Sequence, residues 1–356
     1  FYLAFRGIAN GGHGICIDSV RITETAIIDR YVNDITASDV ISPVVPSGVR
    51  ALPVFRININ VIGNNNSLVL DSLIINSNST DNSVFETNGL QLFYTRNEIY
   101  RNKENSFSTK LGSSASISDG AIVFKNLNKT LRTGNNYLWL AVDIKSDASH
   151  SSIIDFQVNA DNIFISGNVY PAADLSPSGF NKIEEAVFYD NFDTDKGWTL
   201  EPDFERDSPK GKFVYISSDP DYAFSGTNVL GTDLNDDGAY KLNIESANAY
   251  FATTPVLDMK YYDRINLSMM KWIAFEQQDE ARIEVSTDNG ASWTTLWNSQ
   301  VSGQQPEYGW NNLFFSQSFN NLVRRKSAVK LRFGIHFSDN NYAYAGWNID
   351  NFAITG

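Results

Sequence analysis

Apolar residues recur at every second position in several runs of this chain. In Phe55-Arg56-Ile57-Asn58-Ile59-Asn60-Val61 they alternate with polar residues, the period of a strand buried on one face. Leu138, Leu140, Val142 and Ile144 line one face of a second run, with Tyr137 and Trp139 opposite. Ile154, Phe156 and Val158 alternate with Asp155 and Gln157. Val329, Leu331, Phe333, Ile335 and Phe337 alternate with Lys330, Arg332, Gly334 and His336. Helical periodicity is almost absent. Between the runs lie Gly63-Asn64-Asn65-Asn66, Asn78-Ser79-Thr80-Asp81-Asn82, Asp236-Asp237-Gly238 and Asp288-Asn289-Gly290. Asn, Asp and Gly accept positive φ and bond their own backbone, as tight hairpins require. Many short strands joined this way predict an all-β chain of tandem β-sandwiches.

The first twenty residues return near the other end. Shifted by 332 positions, Leu3 falls on Ile335, Gly14 on Gly346, Ile17-Asp18 on Ile349-Asp350 and Ile22-Thr23 on Ile354-Thr355. Both copies read Gly-x-x-Ile-Asp-x-φ-x-Ile, where φ is apolar. The isoleucines are read as one buried parity, with an aspartate held at the strand edge. At the C-terminal end such a strand closes a domain. Residues 1–30 are therefore expected to be the C-terminal remnant of a preceding jelly-roll module, packing as an edge hairpin and not as an independent unit. Proline-bearing stretches at 37–53 and 171–185 read as stiff linkers. They divide the rest into a middle β-sandwich at 40–172 and a C-terminal domain at 185–356.

Composition narrows the function classes. A length of 356 residues suits two domains plus a remnant, and 42% hydrophobic content can fill their cores. A net charge of −13 argues against nucleic-acid binding and is compatible with bound divalent cations. The longest apolar runs, such as Leu138-Trp139-Leu140-Ala141-Val142, fall far short of the roughly 20 residues that span a bilayer. Cys16 is the only cysteine, which excludes a disulfide framework within the chain, and its place between Ile15 and Ile17 reads as a small buried hydrophobe.

The 185–356 region carries an ordered set of motifs. It opens Asp190-Asn191-Phe192-Asp193, with Gly197-Trp198 close behind, and continues with Ser225-Gly226-Thr227-Asn228-Val229-Leu230-Gly231-Thr232-Asp233. Then come Thr253-Thr254-Pro255-Val256-Leu257, Lys271-Trp272-Ile273-Ala274-Phe275, Ser286-Thr287-Asp288-Asn289-Gly290 and Gly346-Trp347-Asn348-Ile349-Asp350. This set resembles the MAM-like, concanavalin-type jelly rolls of secreted bacterial peptidases and the cleaved-adhesin modules of gingipains. Gly14-Ile15-Cys16-Ile17-Asp18 is similar to the end of a second such module. The middle region resembles a sandwich module found beside sialidase repeats, through Pro53-Val54-Phe55-Arg56-Ile57, Leu90-Gln91-Leu92-Phe93-Tyr94 and Tyr137-Leu138-Trp139-Leu140. These resemblances imply a non-catalytic adhesion or presentation region of a large extracellular or cell-surface Bacteroidota protein, exported by the type IX route. The alternative they imply is an accessory region, substrate- or glycan-binding, of a secreted peptidase or sialidase.

Candidate chemistry points the same way. The histidines His13, His150 and His336 are scattered, and no nucleophile elbow, zinc-binding pair or phosphate loop is present. No hydrolytic activity is expected of this chain. Jelly rolls of the resembled kind bring their first and last strands together, which would place Asp190 or Asp193 near Asp350, with Asp233 able to add an oxygen. Calcium takes six to eight such hard ligands, so these four aspartates are the candidate metal ligands. Tyr308, Trp310, Tyr342 and Tyr344 lie in polar loops and are candidate aromatics for stacking on a glycan or anchoring a protein partner.

Overall fold

Where described, the alternating runs lie in strands with the apolar parity buried; in Gly134–Ile144 the opposite parity, Tyr137, Trp139 and Ala141, is buried as well. A computed structural model describes residues 26–102, 108–114, 117–214, 217–235, 250–275, 279–300, 302, 307–336 and 344–356. The N-terminal copy of the repeat, with Cys16 and Asp18, lies outside these residues, as does Tyr342. In Leu52–Ile62, Phe55, Ile57, Ile59 and Val61 are buried while Arg56, Asn58 and Asn60 are half-buried on the other face. In Lys330–His336, Leu331, Phe333 and Ile335 are buried in the same way. β-branched and aromatic side chains fit a pleated surface with one dry face, which is why these segments extend. Among the described residues the chain is all-β apart from the short helix Gln317–Val323 and a single 3-10 turn, Asn82–Val84.

The middle unit is a sandwich. One sheet runs in the order Tyr31–Asp39, Leu52–Ile62, Gly134–Ile144, Phe85–Thr95, Ser108–Ser114, antiparallel throughout. The other is centred on Leu68–Ser77, which pairs with Phe156–Gln157, Ile163–Ile165, Ala121–Phe124 and Lys129–Leu131. Ile57, Leu138 and Leu92 meet Leu70, Leu73 and Ile75 in one core. Tyr31–Asp39 lies ahead of the boundary expected at residue 40 and pairs along its length with Leu52–Ile62. The proline-bearing stretches are not bare linkers either. Val45–Pro46 pairs in parallel with Asn181–Glu184, at the edge of a small third sheet where Pro46 needs no ladder donor.

The C-terminal unit is a second sandwich. Its larger sheet runs Phe204–Asp207, Val229–Thr232, Gly346–Thr355, Asn266–Ala274, Asn311–Phe315. Thr199–Leu200, Tyr250–Thr253, Lys330–His336, Glu280–Ser286 and Thr294–Asn298 form the sheet that faces it. Ala186–Asp190 pairs antiparallel with Gly346–Thr355, so the first and last strands meet.

That last strand breaks the expected parity. Trp347 and Ile349 enter the core, but the next core residues are Phe352 and Ile354. Its pairing with Asn266–Ala274 shifts register between Ser268 and Met270, and Asn351 holds a φ of 45°. This is a β-bulge, in which two residues oppose one and side chains beyond it change face. The isoleucines of the repeat are thus of opposite parity, and the bulge lies between them.

Candidate functional site

The bulge sets the centre of the site. Asp350 is fully buried. Its Oδ2 accepts from the Ser225 backbone N–H at 2.9 Å and its Oδ1 from that of Asn351 at 2.6 Å. The Ser225 hydroxyl donates to Asn351 Oδ1 at 2.5 Å. Among the described residues no lysine, arginine or histidine pairs with Asp350. Burial pushes its carboxyl well above the ordinary range, partly opposed by the backbone donors of Ser225 and Asn351, and the charge of Asp193 pushes it up further.

The other predicted ligands divide. Asp193 is close enough for its charge to act on Asp350, and its Oδ1 accepts from the backbone N–H groups of Thr227 and Asn228 at 2.7 and 3.0 Å. Gly226, with φ +61°, lies so tightly on this carboxylate that any Cβ would collide with it. Asp190 sits on the same edge, paired across from Phe352. Its oxygens accept from the Phe192 N–H at 2.7 Å and the Trp198 indole N–H at 2.8 Å, and burial raises it to about 6. Asp233 acts elsewhere. It is buried beside Asp219, which is raised to about 7, chiefly by burial and further by the Asp233 charge, against a 2.8 Å bond from Asn348 Nδ2. Among the described residues no three His, Cys, Asp or Glu side chains converge as a metal-binding group.

The acidic edge forms part of a wall. An open cleft of about 860 Å³ lies between the two sandwiches. Gln91, Asn102 and Asp143 face it from the middle unit, and Asn191, Asp193 and Lys196 from the C-terminal one. Lys110 Nζ donates to Gln91 Oε1 at 2.7 Å, and Gln91 Nε2 donates to Asp143 Oδ2 at 3.1 Å, so this side of the cleft is pre-oriented. Tyr189 ties the cleft to the bulge: its hydroxyl donates to Asn351 Oδ1 at 2.6 Å and accepts from the Arg50 N–H at 3.2 Å. The units also share apolar contacts, with Tyr100 edge-on to Phe224 and the Arg101 guanidinium over the Tyr222 ring. Sequence reading missed the cleft because no local pattern links Gln91 or Asn102 to residues a hundred positions later. His150, the one histidine whose side chain is described, stands away from it, 3.7 Å from Glu185.

The expected ligand-binding aromatics are not assembled into a platform. Tyr308 is 69% exposed, but Tyr344 is buried and Tyr342 lies outside the described residues. Trp310 packs edge-on against Trp272 and donates its indole N–H to the Tyr222 carbonyl at 3.1 Å. Its loop folds onto the junction between the units, where an indole finds both apolar contact and an acceptor.

No family model matches the chain, and no curated protein does. Solved structures similar to it include the CBM22-1 xylan-binding domain of Paenibacillus barcinonensis Xyn10C. That match has 14% identity and a TM-score of 0.29, over 48% of this chain and 94% of that one. Another is the K1 cleaved adhesin domain of Lys-gingipain from Porphyromonas gingivalis W83, with 11% identity and a TM-score of 0.29 over 48% of this chain and 97% of that one. A third is the Hadza microbial sialidase Hz136, with 14% identity and a TM-score of 0.30 over 72% of this chain and 59% of that one.

Proposed function

We propose that this chain is a non-catalytic binding region of an exported, cell-surface protein, serving adhesion or presentation, and that the cleft between its sandwiches takes a saccharide. The cleft carries this reading. It is open, roomy enough for several sugar units, and walled from both units by amide, ammonium and carboxylate groups. Such groups donate to and accept from sugar hydroxyls without needing a nucleophile. Kinship with MAM-like and cleaved-adhesin modules, and export by the type IX route, belong to the same reading and rest on the ordered motifs of residues 185–356. Retention of the 1–356 chain on immobilised polysaccharides is the test. Asn102→Ala with Lys196→Ala is expected to weaken retention about tenfold, since each lost hydrogen bond costs roughly 0.5–1.5 kcal/mol. Retention that the double variant leaves unchanged removes the cleft from the reading.

Calcium at the Asp193–Asp350 edge is part of the proposal. A fully buried carboxyl with no cationic partner among the described residues, beside a second carboxylate, keeps its proton when alone, and a divalent ion would take that proton's place. The donor set suits calcium, which accepts carbonyl and amide oxygens alongside carboxylates. Asp350 and Asp193 would supply the carboxylates. Asp190, which accepts from Phe192 and Trp198 much as Asp350 accepts from Ser225 and Asn351, is the further candidate on this edge. Asp233 stands with Asp219 instead. Calcium at a hundredfold over its Kd is expected to stabilise the chain by about 2.7 kcal/mol. Coincident melting midpoints in calcium and in chelator, unmoved by Asp350→Asn, would leave Asp350 as a bulge-bracing group only.

A further inference from the structure

The middle sandwich carries a second pocket whose charge runs against the rest of the chain. It measures about 370 Å³ and lies at one end of the five-stranded sheet, between residues 96–98 and 132–137. Arg96 and Arg132 line it, and among the described residues neither makes an ion pair. Glu98 lies there too, but its carboxylate is taken by Arg56, which stacks 5.9 Å above the Tyr137 ring. Lys129 stands close by, its ammonium 4.0 Å above the Tyr94 ring. Burial and the charge of Arg96 lower its pKa, which places that guanidinium near it. In a chain of net charge −13, this is a local excess of cations, of which Arg96 and Arg132 have no ion-pair partner among the described residues.

The rest of the pocket is built for hydroxyl groups. Asn97, on its wall, has a buried Oδ1 with no hydrogen-bond partner. From Asn135 a row of amides crosses the sheet face: Asn60 Nδ2 donates to Asn135 Oδ1 at 2.7 Å, and Asn33 Nδ2 to Asn60 Oδ1 at 3.2 Å. Asn58 stands in this row with its own buried Oδ1 unpartnered. Asn135 Nδ2 donates to the Tyr137 hydroxyl at 3.2 Å. The turn beneath is braced by Asn136, fully buried, whose amide donates to the carbonyls of Arg132 and Gly134 and accepts from the Arg132 N–H.

We infer that this pocket binds an anionic saccharide, its carboxylate or sulfate held between Arg96 and Arg132 and a hydroxyl donating to the amide oxygen of Asn97. Guanidinium forks match planar oxyanions and are weakly hydrated, so they are suited to this task. Acceptors lacking donors call for a ligand that brings O–H groups, which an acidic peptide side chain does not. This site is separate from the cleft between the sandwiches and stands or falls without it.

The test titrates the full 1–356 chain with three probes: an oligogalacturonate, a sialyllactose and a sulfated oligosaccharide. A neutral galacto-oligosaccharide and a poly-glutamate peptide serve as controls. Binding to at least one anionic saccharide is expected, with affinity at least tenfold above either control. Arg96→Gln with Arg132→Gln is expected to lower that affinity at least tenfold without moving the melting midpoint, and Asn97→Ala to lower it about threefold. Which probe binds separates a uronate, a sialate and a sulfate. Three results overturn the inference: no anionic probe binds, poly-glutamate binds as well as the sugar, or the arginine double variant binds as the parent does.

Discussion

In chelator, the stability of the 1–356 chain is expected to fall as pH rises from about 4 to about 7. Asp219 moves from 3.8 to about 7 on folding and Asp190 from 3.8 to about 6, both chiefly through burial. Between the unfolded and folded values the native state holds protons that the unfolded chain has released, so raising pH favours unfolding. At about 1.4 kcal/mol per unit, Asp219 contributes a loss of roughly 4 kcal/mol and Asp190 roughly 3 kcal/mol. Asp350 is raised in the same direction and adds to it. Asp288, lowered to about 2, acts with the opposite sign but only below 3.8, outside this window. Urea titrations at half-unit steps of pH read the slope directly. Asp219→Asn should flatten it, and calcium should flatten the part due to Asp350. A profile level across the window in chelator shows that these acids are not buried as described.

Trp347→Ala is expected to cost the C-terminal sandwich about 3–5 kcal/mol, the range for deleting a buried aromatic and leaving its cavity. The indole is fully buried among the rings of Phe275, Trp297 and Phe333, at centroid distances of 6.5, 5.9 and 5.5 Å. Its backbone N–H donates to the Thr232 hydroxyl at 3.1 Å, in the next strand, so collapse around the cavity is opposed from two sides. For a unit of this size the melting midpoint should drop by roughly 10 °C. Tyr308→Ala, at an exposed ring, is the matched control and should shift stability by less than about 0.5 kcal/mol. Equal effects of the two substitutions would mean that the aromatic cluster is not the core.

The strands were legible because their signal is local. Phe55, Ile57, Ile59 and Val61 declare a dry face within seven residues, and their neighbours confirm it. Meeting of the first and last strands followed from the ordered motifs. The bulge was written in the spacing from Ile349 to Phe352 to Ile354, which no unbroken strand can bury on one face, yet a repeated motif invites a single-parity reading. Prolines at 43, 46 and 53 resemble a linker by composition, whereas Val44 and Val45 are buried and Val45–Pro46 pairs with a strand almost 140 residues later. Loop aromatics mislead for a related reason: composition says that Trp310 is in a polar loop but not that the loop folds inward. The two pockets were beyond reach. Gln91, Asn191 and Lys196 in one, or Arg96 and Arg132 in the other, become neighbours only through the register of the sheets.

Ala186 stands opposite Thr355, and the Gly356 N–H donates to the Glu185 carbonyl. The first and last strands of the C-terminal sandwich thus have their outer ends side by side. Tension applied through these two points would open the pair Ala186–Asp190 and Gly346–Thr355 one rung at a time, like a zip, rather than load all its hydrogen bonds together in shear. That pair also brings together the strand ending in Asp190 and the bulge that carries Asp350. Whatever anchors the acidic edge therefore sits only a few rungs from where pulling would begin, and acts as the stop on the zip.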